Sequence, residues 1–191
     1  MTIFQLIMLA ITAFFAYKVY EHVNGLEDEV KESESQEVDK IDELLEKADK
    51  AFEVGNLDEC KKYLRETLFL EKDNIELILK IAYLESEEKN YDDAIAYAED
   101  ALKIDQNSDE VYAALGSFYR HKKMYSEASQ SYEKAIELDA THQFYYFNYA
   151  NLLVDMGERE KAKEMYAKAI ELDEDFMQAK FELEKLKNEA S

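Results

Sequence analysis

The feature that most constrains the fold of this chain is a repeat of 34 residues that covers most of its length. Four blocks align with one another without gaps, at residues 41–74, 75–108, 109–142 and 143–176. Small residues recur at fixed places in the blocks, and large apolar residues stand between them. A unit of this length cannot bury its own apolar face, so the units must stack and share a core. The period therefore predicts a solenoid of similar units.

Each block has the pattern of two amphipathic helices separated by a short break. In the third block, DEVYAALGSFYRHK forms one predicted helix and SEASQSYEKAIEL the next. Asp58, Asp92 and Ser126 share one place at the start of the second helix, where a side-chain oxygen can cap free N–H groups. The chain has no proline and four glycines, which excludes a loop-rich β-sandwich because its turns depend on these residues. The sequence predicts an all-α fold.

These blocks resemble the tetratricopeptide repeat, whose signature W-x2-L-G-x2-Y is followed by A-x3-F. The third block matches best and the first diverges most. The matching residues are Tyr112, Leu115, Gly116, Tyr119, Ala128 and Tyr132 in the third block, Tyr146, Tyr149, Ala150, Leu153, Ala162 and Tyr166 in the fourth, Ala82, Ala94 and Ala101 in the second, and Ala48, Ala51, Cys60 and Leu64 in the first. The proline usual near the end of each repeat is absent. The resemblance implies an all-α, right-handed superhelical solenoid of four helix-turn-helix repeats, closed by a capping helix at residues 177–191.

Residues 1–22 have the composition of a membrane anchor. The stretch from Thr2 to Tyr17 carries no charged side chain, and with its flanks it approaches the roughly 30 Å hydrocarbon core of a bilayer. A cleaved signal peptide would begin with basic residues, and a buried helix of a soluble domain would have a polar face. The sequence therefore predicts one transmembrane signal-anchor helix. A single anchor makes this a single-pass membrane protein, and by analogy we expect the membrane to be the bacterial inner membrane. Lys18 and Lys31 are the nearest basic residues, and both follow the charge-free stretch. The positive-inside rule therefore predicts that the repeats lie on the cytoplasmic side.

Residues 23–40 are predicted to form an acidic juxtamembrane linker. The stretch 26–40 holds seven acidic residues and two lysines, which is typical of a solvated spacer or a frayed helix. Asn24-Gly25 predicts a turn at its start. Anionic lipid repels such a segment, so it should hold the repeats away from the bilayer.

No sequence motif for catalysis or for cofactor binding occurs in this chain. The chain has no phosphate-binding loop and no hydrolase or zinc-protease motif, and its three histidines lack metal-ligand spacing to one another or to Cys60. Cys60 stands where the other blocks have alanine, which favours a packing role. The net charge of −21 argues against nucleic acid, because phosphate binding depends on Lys and Arg. We predict a protein that is not an enzyme and has no cofactor, metal or small-molecule substrate.

The resemblance implies that the first helix of each repeat lines a concave groove that holds an extended peptide or a partner helix. Chaperone-binding members grip a carboxylate with lysine at the fifth place of each block, where this chain has Leu45, Leu79, Ala113 and Phe147, so that clamp is absent. Aromatic and acidic groove positions instead predict a protein or peptide partner that is apolar and basic. As an alternative, Phe144, Phe147 and Phe181 could pack against one another as core. The candidate groove residues are Leu45, Asp49, Phe52, Leu79, Tyr83, Glu87, Ser117, Arg120, Phe144, Phe147, Asn151 and Phe181.

These features predict a membrane-tethered tetratricopeptide scaffold or adaptor that mediates protein–protein interactions in the assembly of a bacterial membrane or envelope complex. Three alternatives stay open at this point. The first is a regulatory subunit of a membrane enzyme or transporter, with the anchor packed on the partner's transmembrane helices. The second is a periplasmic, chaperone-like assembly factor, if the orientation is reversed. The third is an organelle import receptor whose acidic groove binds basic presequences.

Overall fold

A computed structural model describes the backbone of residues 3–188 and the side chains of residues 18–25 and 35–188. These residues form nine α-helices and no strand. The helices are α1 (Ile3–Glu53), α2 (Leu57–Leu70), α3 (Ile75–Glu87), α4 (Tyr91–Ile104), α5 (Asp109–His121), α6 (Tyr125–Leu138), α7 (Gln143–Asp155), α8 (Arg159–Leu172) and α9 (Met177–Asn188). The starts of α2, α4, α6 and α8 are 34 residues apart, and so are those of α3, α5, α7 and α9. The predicted all-α solenoid of helix pairs is confirmed.

The helices stack as pairs. Helices α1, α3, α5 and α7 each pack on the even-numbered helix that follows, and that helix packs on the next odd-numbered one. Helix α3 also contacts α5, and α5 contacts α7. Residues of α1 and α3 line one concavity and residues of α7 and α9 line another, so the odd-numbered helices form one row. The repeat predicts that small residues let the two helices of a pair approach closely. In agreement, Ala94, Ala128 and Ala162 are completely buried. The large rings of Tyr132 and Tyr166, each 1% exposed, fill the space between the pairs.

The first helix of each pair ends in the same way. Gly55, Lys89, Lys123 and Gly157, which share the fifteenth place of their blocks, all have positive φ, between 64° and 78°. At the first of these turns the Gly55 N–H donates to the Phe52 carbonyl at 2.9 Å, and the next N–H donates to the Ala51 carbonyl at 2.8 Å. The same two bonds recur at the other three turns. This is a Schellman cap, which satisfies carbonyls that the helix end would otherwise leave free.

The residues that cap the second helices differ from the sequence prediction. Helix α2 is capped by Asn56, whose side chain accepts a bond from the Glu59 N–H at 3.3 Å. Asp58, Asp92 and Ser126 lie inside the first turn, so their predicted role as N-caps is wrong. The reason is that the residue with positive φ directly precedes the N-cap in each repeat. Each second helix therefore begins closer to the N-terminus of the chain than the sequence predicts. Acidic side chains in the first turn still interact favourably with the helix dipole.

Helix α1 continues as one helix through the predicted linker. The turn predicted at Asn24-Gly25 is wrong, because both residues are helical. A helix of 51 residues is about 77 Å long. Its buried side chains among the described residues, Leu44, Ala48 and Ala51, all lie near its C-terminal end, where it packs on α2.

The predicted anchor, residues 1–22, falls mainly on residues whose side chains lie outside the described part of the chain. Among the helices that can be assessed in this structure, none is both long enough and apolar enough to span a bilayer. The boundaries of the anchor and of the linker stay predictions. The last element, α9, is the predicted capping helix and packs on α8.

Candidate functional site

The candidate groove residues do not form one continuous surface. Ten of the twelve fall into three groups along the row of odd-numbered helices. We call these groups the N-terminal cleft, the polar middle and the C-terminal patch.

The N-terminal cleft is a concavity of about 540 Å³ between α1, α2 and α3. Four candidate residues meet there. Phe52 is 58% exposed and Tyr83 is 48% exposed, so both rings are accessible beside Asp49 and Glu87. Apolar side chains form most of the remaining lining. The cleft is lined by Ala48, Asp49, Phe52, Leu57, Cys60, Leu64, Lys80, Tyr83, Leu84 and Glu87.

The charges around this cleft are mostly acidic. Asp49 and Glu87 are exposed. Lys80 also lines the cleft, but its ammonium is paired with Glu76 at 2.9 Å. Burial raises the pKa of the Cys60 thiol, and the Asp49 carboxylate raises it further. The thiol therefore stays protonated at neutral pH, which fits the packing role that its place in the repeat predicts.

The ring of Tyr83 is held in place by the next repeat. It contacts Phe118 edge to face, with 5.2 Å between ring centroids and 69° between the planes. Burial raises the pKa of the Tyr83 hydroxyl, and the Glu110 carboxylate adds to that effect. Tyr83 is therefore a neutral, oriented aromatic side chain at the cleft, and not a mobile surface residue.

Two candidate residues of the first repeats do not line the cleft. Leu79 is 7% exposed and belongs to the core around Ile78 and Ala82. Leu45 is half-buried and packs against the core that contains Ala48. Both stand at the fifth place of their blocks. In a stacked array this place faces the neighbouring pair, so an apolar side chain there is covered by packing.

The polar middle consists of Ser117, Arg120 and Asn151, and each of them is engaged within the protein. The Arg120 Nε donates to the Asp155 carboxylate at 2.6 Å. The Tyr166 hydroxyl donates to Asn151 Oδ1 at 2.6 Å. The Ser117 side chain lies near the buried Tyr132 hydroxyl and lowers its pKa, against the larger effect of burial. Arg120 therefore offers no unpaired positive charge to a ligand.

Burial fixes the protonation of the tyrosines beneath the polar middle. It raises the pKa of Tyr166 to about 12, with a contribution from the Glu182 carboxylate. It raises the pKa of Tyr132 as well. Both hydroxyls therefore stay protonated at neutral pH, and that of Tyr166 stays a donor to Asn151.

The C-terminal patch consists of Phe144, Phe147, Met177 and Phe181. Phe144 and Phe147 both pack on the buried ring of Phe176, at centroid distances of 4.9 and 5.0 Å. Phe181 is 67% exposed. The alternative in which these phenylalanines are core side chains therefore describes Phe144 and Phe147 in part, and not Phe181.

Sequence reasoning did not single out Phe176. It occupies the last place of the fourth block, where the earlier blocks have the polar residues Asn74, Ser108 and His142. The sequence does contain a signal for its role, because an aromatic ring replaces a polar residue at this place. The change marks the point where the regular repeats end.

A buried ionic network behind the N-terminal cleft was also missed. Glu85 and Lys61, 4% and 5% exposed, are paired at 3.2 Å, and Lys61 also reaches Glu88 at 2.7 Å. The second carboxylate oxygen of Glu85 accepts a bond from Arg65 at 2.6 Å. Asn90 donates to Glu85 at 2.9 Å. The network joins α2 to α3 and so connects the two helix pairs that form the cleft.

The pKa of Glu85 reflects this network. Burial alone would raise it, but the bonds from Asn90 and Lys61 and the charges of Lys61 and Arg65 hold the pKa below 4.5. The carboxylate is therefore ionised at neutral pH. Elsewhere, no group of three or more His, Cys, Asp or Glu side chains that could hold a metal ion occurs among the residues that the structure describes.

Comparison with known proteins identifies the repeat. The sequence profile of the tetratricopeptide repeat matches residues 75–108, 109–142 and 145–176, which together make up just over half of the chain. The profile does not match the first block, which nevertheless forms the α1–α2 pair. No curated protein matches the sequence.

Several solved structures have a similar fold. PilF of Pseudomonas aeruginosa is 20% identical with a TM-score of 0.69, over 81% of this chain and 71% of that one. MamA of Desulfovibrio magneticus RS-1, from residue 41 to its end, is 19% identical with a TM-score of 0.66, over 80% of this chain and 86% of that one. The first repeat domain of Spaghetti (RPAP3), bound to the HSP90 peptide SRMEEVD, is 20% identical with a TM-score of 0.57, over 61% of this chain and 94% of that one. At these identities the similarity shows the fold.

Proposed function

Since this chain belongs to the tetratricopeptide repeat family, we propose that it is a non-catalytic scaffold that binds a protein segment in the N-terminal cleft. One observation carries this proposal. Two accessible aromatic rings, Phe52 and Tyr83, and two exposed carboxylates, Asp49 and Glu87, surround one apolar concavity. Aromatic side chains at a pocket supply most of the affinity of a protein interface, and charges at its edge supply specificity and rate.

The cleft favours a segment that is apolar and basic. The similar repeat domain of RPAP3 binds the peptide SRMEEVD, and three of the last four residues of this peptide are acidic. The opposite preference is proposed here, because Asp49 and Glu87 line the cleft and Lys80 is paired with Glu76. The partner segment presents leucine or aromatic side chains to the cleft and lysine or arginine to its acidic edge.

Peptide binding to the full chain tests this proposal. A basic amphipathic peptide is compared by calorimetry with a variant in which every lysine is replaced by glutamate and every apolar residue is kept. We expect the basic peptide to bind, and Phe52→Ala and Tyr83→Ala each to weaken its binding about 30-fold, which corresponds to loss of a ~2 kcal/mol anchor.

The matched control is Phe69→Ala on α2. Phe69 is 73% exposed and does not line the cleft, so its loss removes an equally large ring without touching the site. The proposal fails if the acidic peptide binds as tightly as the basic one, or if Phe69→Ala weakens binding as much as Phe52→Ala. Circular dichroism of each variant verifies that the array is folded.

We also propose that residues 1–22 tether the scaffold to a membrane, where it serves the assembly of a membrane or envelope complex. The support is the charge-free stretch from Thr2 to Tyr17, together with α1, which runs as one helix from Ile3 to the first repeat. Because α1 is continuous, it holds the repeat array at a fixed distance from residues 1–22. Tethering raises the local concentration of the cleft and allows a weak site to bind effectively.

Membrane extraction and a reporter fusion test the tether. The full chain should resist alkaline carbonate extraction, and deletion of residues 1–22 should release it. A reporter that is active only in the cytoplasm, fused after Ser191, should be active if the repeats face that side. Release of the full chain by carbonate would refute the tether, and activity of a periplasm-specific reporter would refute the orientation.

A further inference from the structure

The contact between the first two helix pairs differs in chemistry from the contact that follows it. We call the packing of α2 on α3 the first joint and the packing of α4 on α5 the second joint. The first joint contains the ionic network around Glu85. At the second joint the place of Lys61 is taken by Ile95. The place of Glu85 is taken by Tyr119, which packs against the same hydrophobic core as Ile95. The repeat can therefore form this contact with apolar side chains.

The two joints also differ at the places that line the N-terminal cleft. Asp49 of α1 and Leu84 of α3 both line the cleft at the first joint. Thirty-four residues later the same places hold Tyr83 and Phe118, whose rings are in edge-to-face contact with 5.2 Å between centroids. A ring contact at the second joint therefore corresponds to a carboxylate and an aliphatic side chain around open space at the first.

A second pair of lining places shows the same difference. Leu57 of α2 and Glu87 of α3 line the cleft. Their counterparts at the second joint, Tyr91 and His121, are stacked, with 5.8 Å between ring centroids and 8° between the planes. Two ring contacts thus connect the helix pairs at the second joint across places that border the cleft at the first. The first joint lacks these two contacts, so other side chains must set the spacing of its helix pairs.

The ionic network lies beside the cleft on both helices of the first joint. Each of its four charged side chains directly follows a cleft-lining residue in the sequence, and these neighbours are Cys60 and Lys61, Leu64 and Arg65, Leu84 and Glu85, and Glu87 and Glu88. Successive residues of a helix are about 100° apart around its axis, so the network and the cleft occupy adjacent faces of α2 and α3. The pairing of Lys61 with Glu85 at 3.2 Å therefore joins the same two helices that form walls of the cleft.

The side chain of Asn90 contributes to this network and not to a helix cap. Asn90 is the N-cap residue of α4, but its side chain makes no capping bond to that helix. Asn56, at the same place in the first repeat, caps α2 by accepting a bond from the Glu59 N–H. The Asn90 amide instead donates to the Glu85 carboxylate at 2.9 Å. Since a side-chain cap typically contributes about 1 kcal/mol, helix stability is given up here for another bond to Glu85.

We propose that the ionic network sets the spacing of the first two helix pairs and keeps the N-terminal cleft open, so that Lys61 and Glu85 are positioning residues for the bound segment. This inference rests on the proposed function of the cleft. A buried ion pair adds little stability over apolar side chains of similar size, but each of its charges has to keep its partners. Apolar contacts are not directional. An apolar joint can therefore adjust until rings fill the space between the helix pairs, as they do at the second joint.

A spacing that is fixed before the ligand arrives favours binding. A preorganised site loses less conformational freedom when it binds than a site that has to open first. The rings of Phe52 on α1 and Tyr83 on α3 belong to different helix pairs, so their separation depends on the first joint. The network therefore acts on the ligand through the placement of these two rings, without touching the ligand itself.

Transfer of the residues of the second joint to the first tests this proposal. The variant Lys61→Ile with Glu85→Tyr carries the side chains that the next repeat has at these places, and its net charge stays at −21. Its thermal stability should be close to that of the wild type, because the ion pair is replaced as a whole. Its affinity for the basic peptide should fall about tenfold, because the preorganised spacing is lost. Lys61→Met with Glu85→Gln makes the same comparison with side chains closer in size, in case the tyrosine does not fit.

The matched control is Lys103→Met with Asp100→Asn on α4. This ion pair is exposed and neither residue lines the cleft, so the variant removes one charge of each sign and leaves the first joint unchanged. Peptide affinity should stay that of the wild type. A control that weakens binding as much as the network variants overturns the proposal.

Spin labels measure the spacing of the helix pairs without a ligand. The labels are attached at Lys50→Cys on α1 and Asp93→Cys on α4, two exposed positions that do not line the cleft. The background is Cys60→Ala, which introduces the alanine that the other repeats have at this place. Electron paramagnetic resonance then gives the distribution of distances between the labels. The network variants should shift or broaden this distribution, and the control should not.

The two measurements allow the proposals to fail separately. An unchanged distance distribution in the network variants overturns the role of the network. Unchanged peptide affinity in a variant whose distances have changed overturns it as well, because the spacing then does not govern binding. If the wild type itself binds no peptide, the proposed function of the cleft fails, and the label distances alone decide whether the network sets the spacing.

Discussion

At the scale of single residues, Gly116 shows how closely the repeats pack. A Cβ atom at this position would lie 2.7 Å from Cε1 and 2.8 Å from Cδ1 of Tyr132. The Tyr132 ring is 1% exposed, so it has no free space into which to move. We expect Gly116→Ala to lower the free energy of unfolding by about 1–3 kcal/mol, the usual cost of overpacking a core. Urea denaturation followed by circular dichroism measures the change.

Gly25→Ala is the matched control for this substitution. Gly25 is also helical, but a Cβ atom there meets nothing within 4 Å. Alanine favours a helix interior over glycine, so this variant should be at least as stable as the wild type. A loss at Gly25 equal to that at Gly116 would contradict the explanation by contact with Tyr132.

The sequence also shows what can and cannot be predicted about a single residue. The repeat places Gly55, Lys89, Lys123 and Gly157 at one position, and the glycines indicate a turn there. The positive φ of the two lysines, 68° and 64°, has no signal in the lysines themselves, because lysine has no preference for the left-handed region. It becomes predictable only when the glycines of the other repeats are read at the same position.

At the scale of helices and helix pairs, the joint between the first two repeats depends on Glu85. This carboxylate is buried and accepts bonds from Lys61, Arg65 and Asn90. Removing one partner of a buried ion pair leaves an uncompensated charge, so we expect Glu85→Gln to cost about 3 kcal/mol at neutral pH. Arg65→Lys is the mild control, because Arg65 is largely exposed and lysine keeps the charge. Thermal unfolding of both variants measures the difference.

The effect of Glu85→Gln should depend on pH in a defined direction. The pKa of Glu85 is lowered in the folded protein by its partners, in spite of its burial. Its contribution to stability is therefore complete above the unfolded value of about 4.5 and is lost as the pH falls through the lower folded value. The stability difference between wild type and variant should shrink in that acidic range. A difference that is constant from pH 7 to below the folded pKa would contradict the role given to ionised Glu85.

The helices themselves were the most predictable part of the fold. The period of 34 residues placed every pair from α3 to α8, because small and large residues recur in phase with the stacking contacts. The network of Lys61 and Glu85 was not predicted, because charged residues near a helix surface are normally solvated. A signal was present, since the place of Lys61 is taken by the buried Ile95 in the next repeat. The continuity of α1 was missed because Asn24-Gly25 is a strong turn pattern, and a long helix overrode it.

At the scale of the whole molecule, the main difference from the sequence prediction is the division of the groove. The candidate groove was predicted from the family as a single surface, and the structure divides it because neutral pairs such as Arg120 with Asp155 occupy its middle. Pairing across helices depends on side-chain direction, which the repeat pattern does not specify. Exposed acidic side chains occur along the whole array, and Asp92, Glu137 and Glu160 are examples outside the N-terminal cleft. Asp49 and Glu87 differ from them because they lie beside accessible aromatic rings.

The net charge of −21 leads to a prediction about the rate of partner binding. A basic peptide should be steered to the N-terminal cleft by the field of the whole chain, so its association rate should fall at least tenfold between about 0.01 M and 1 M salt, where the Debye length shortens from about 30 Å to about 3 Å. The dissociation rate should change less, because it depends on the rings of Phe52 and Tyr83. Stopped-flow fluorescence measures both rates.

Variants of the cleft separate steering from anchoring. The double variant Asp49→Asn with Glu87→Gln removes two of the charges nearest the ligand, so it should reduce the dependence of the association rate on salt and leave the dissociation rate nearly unchanged. Phe52→Ala should have the opposite effect, with faster dissociation and the same dependence on salt, because it removes contact area and no charge. If Phe52→Ala altered the salt dependence as much as the double variant, the acidic side chains would not be steering the ligand and the proposed preference for a basic partner would be wrong.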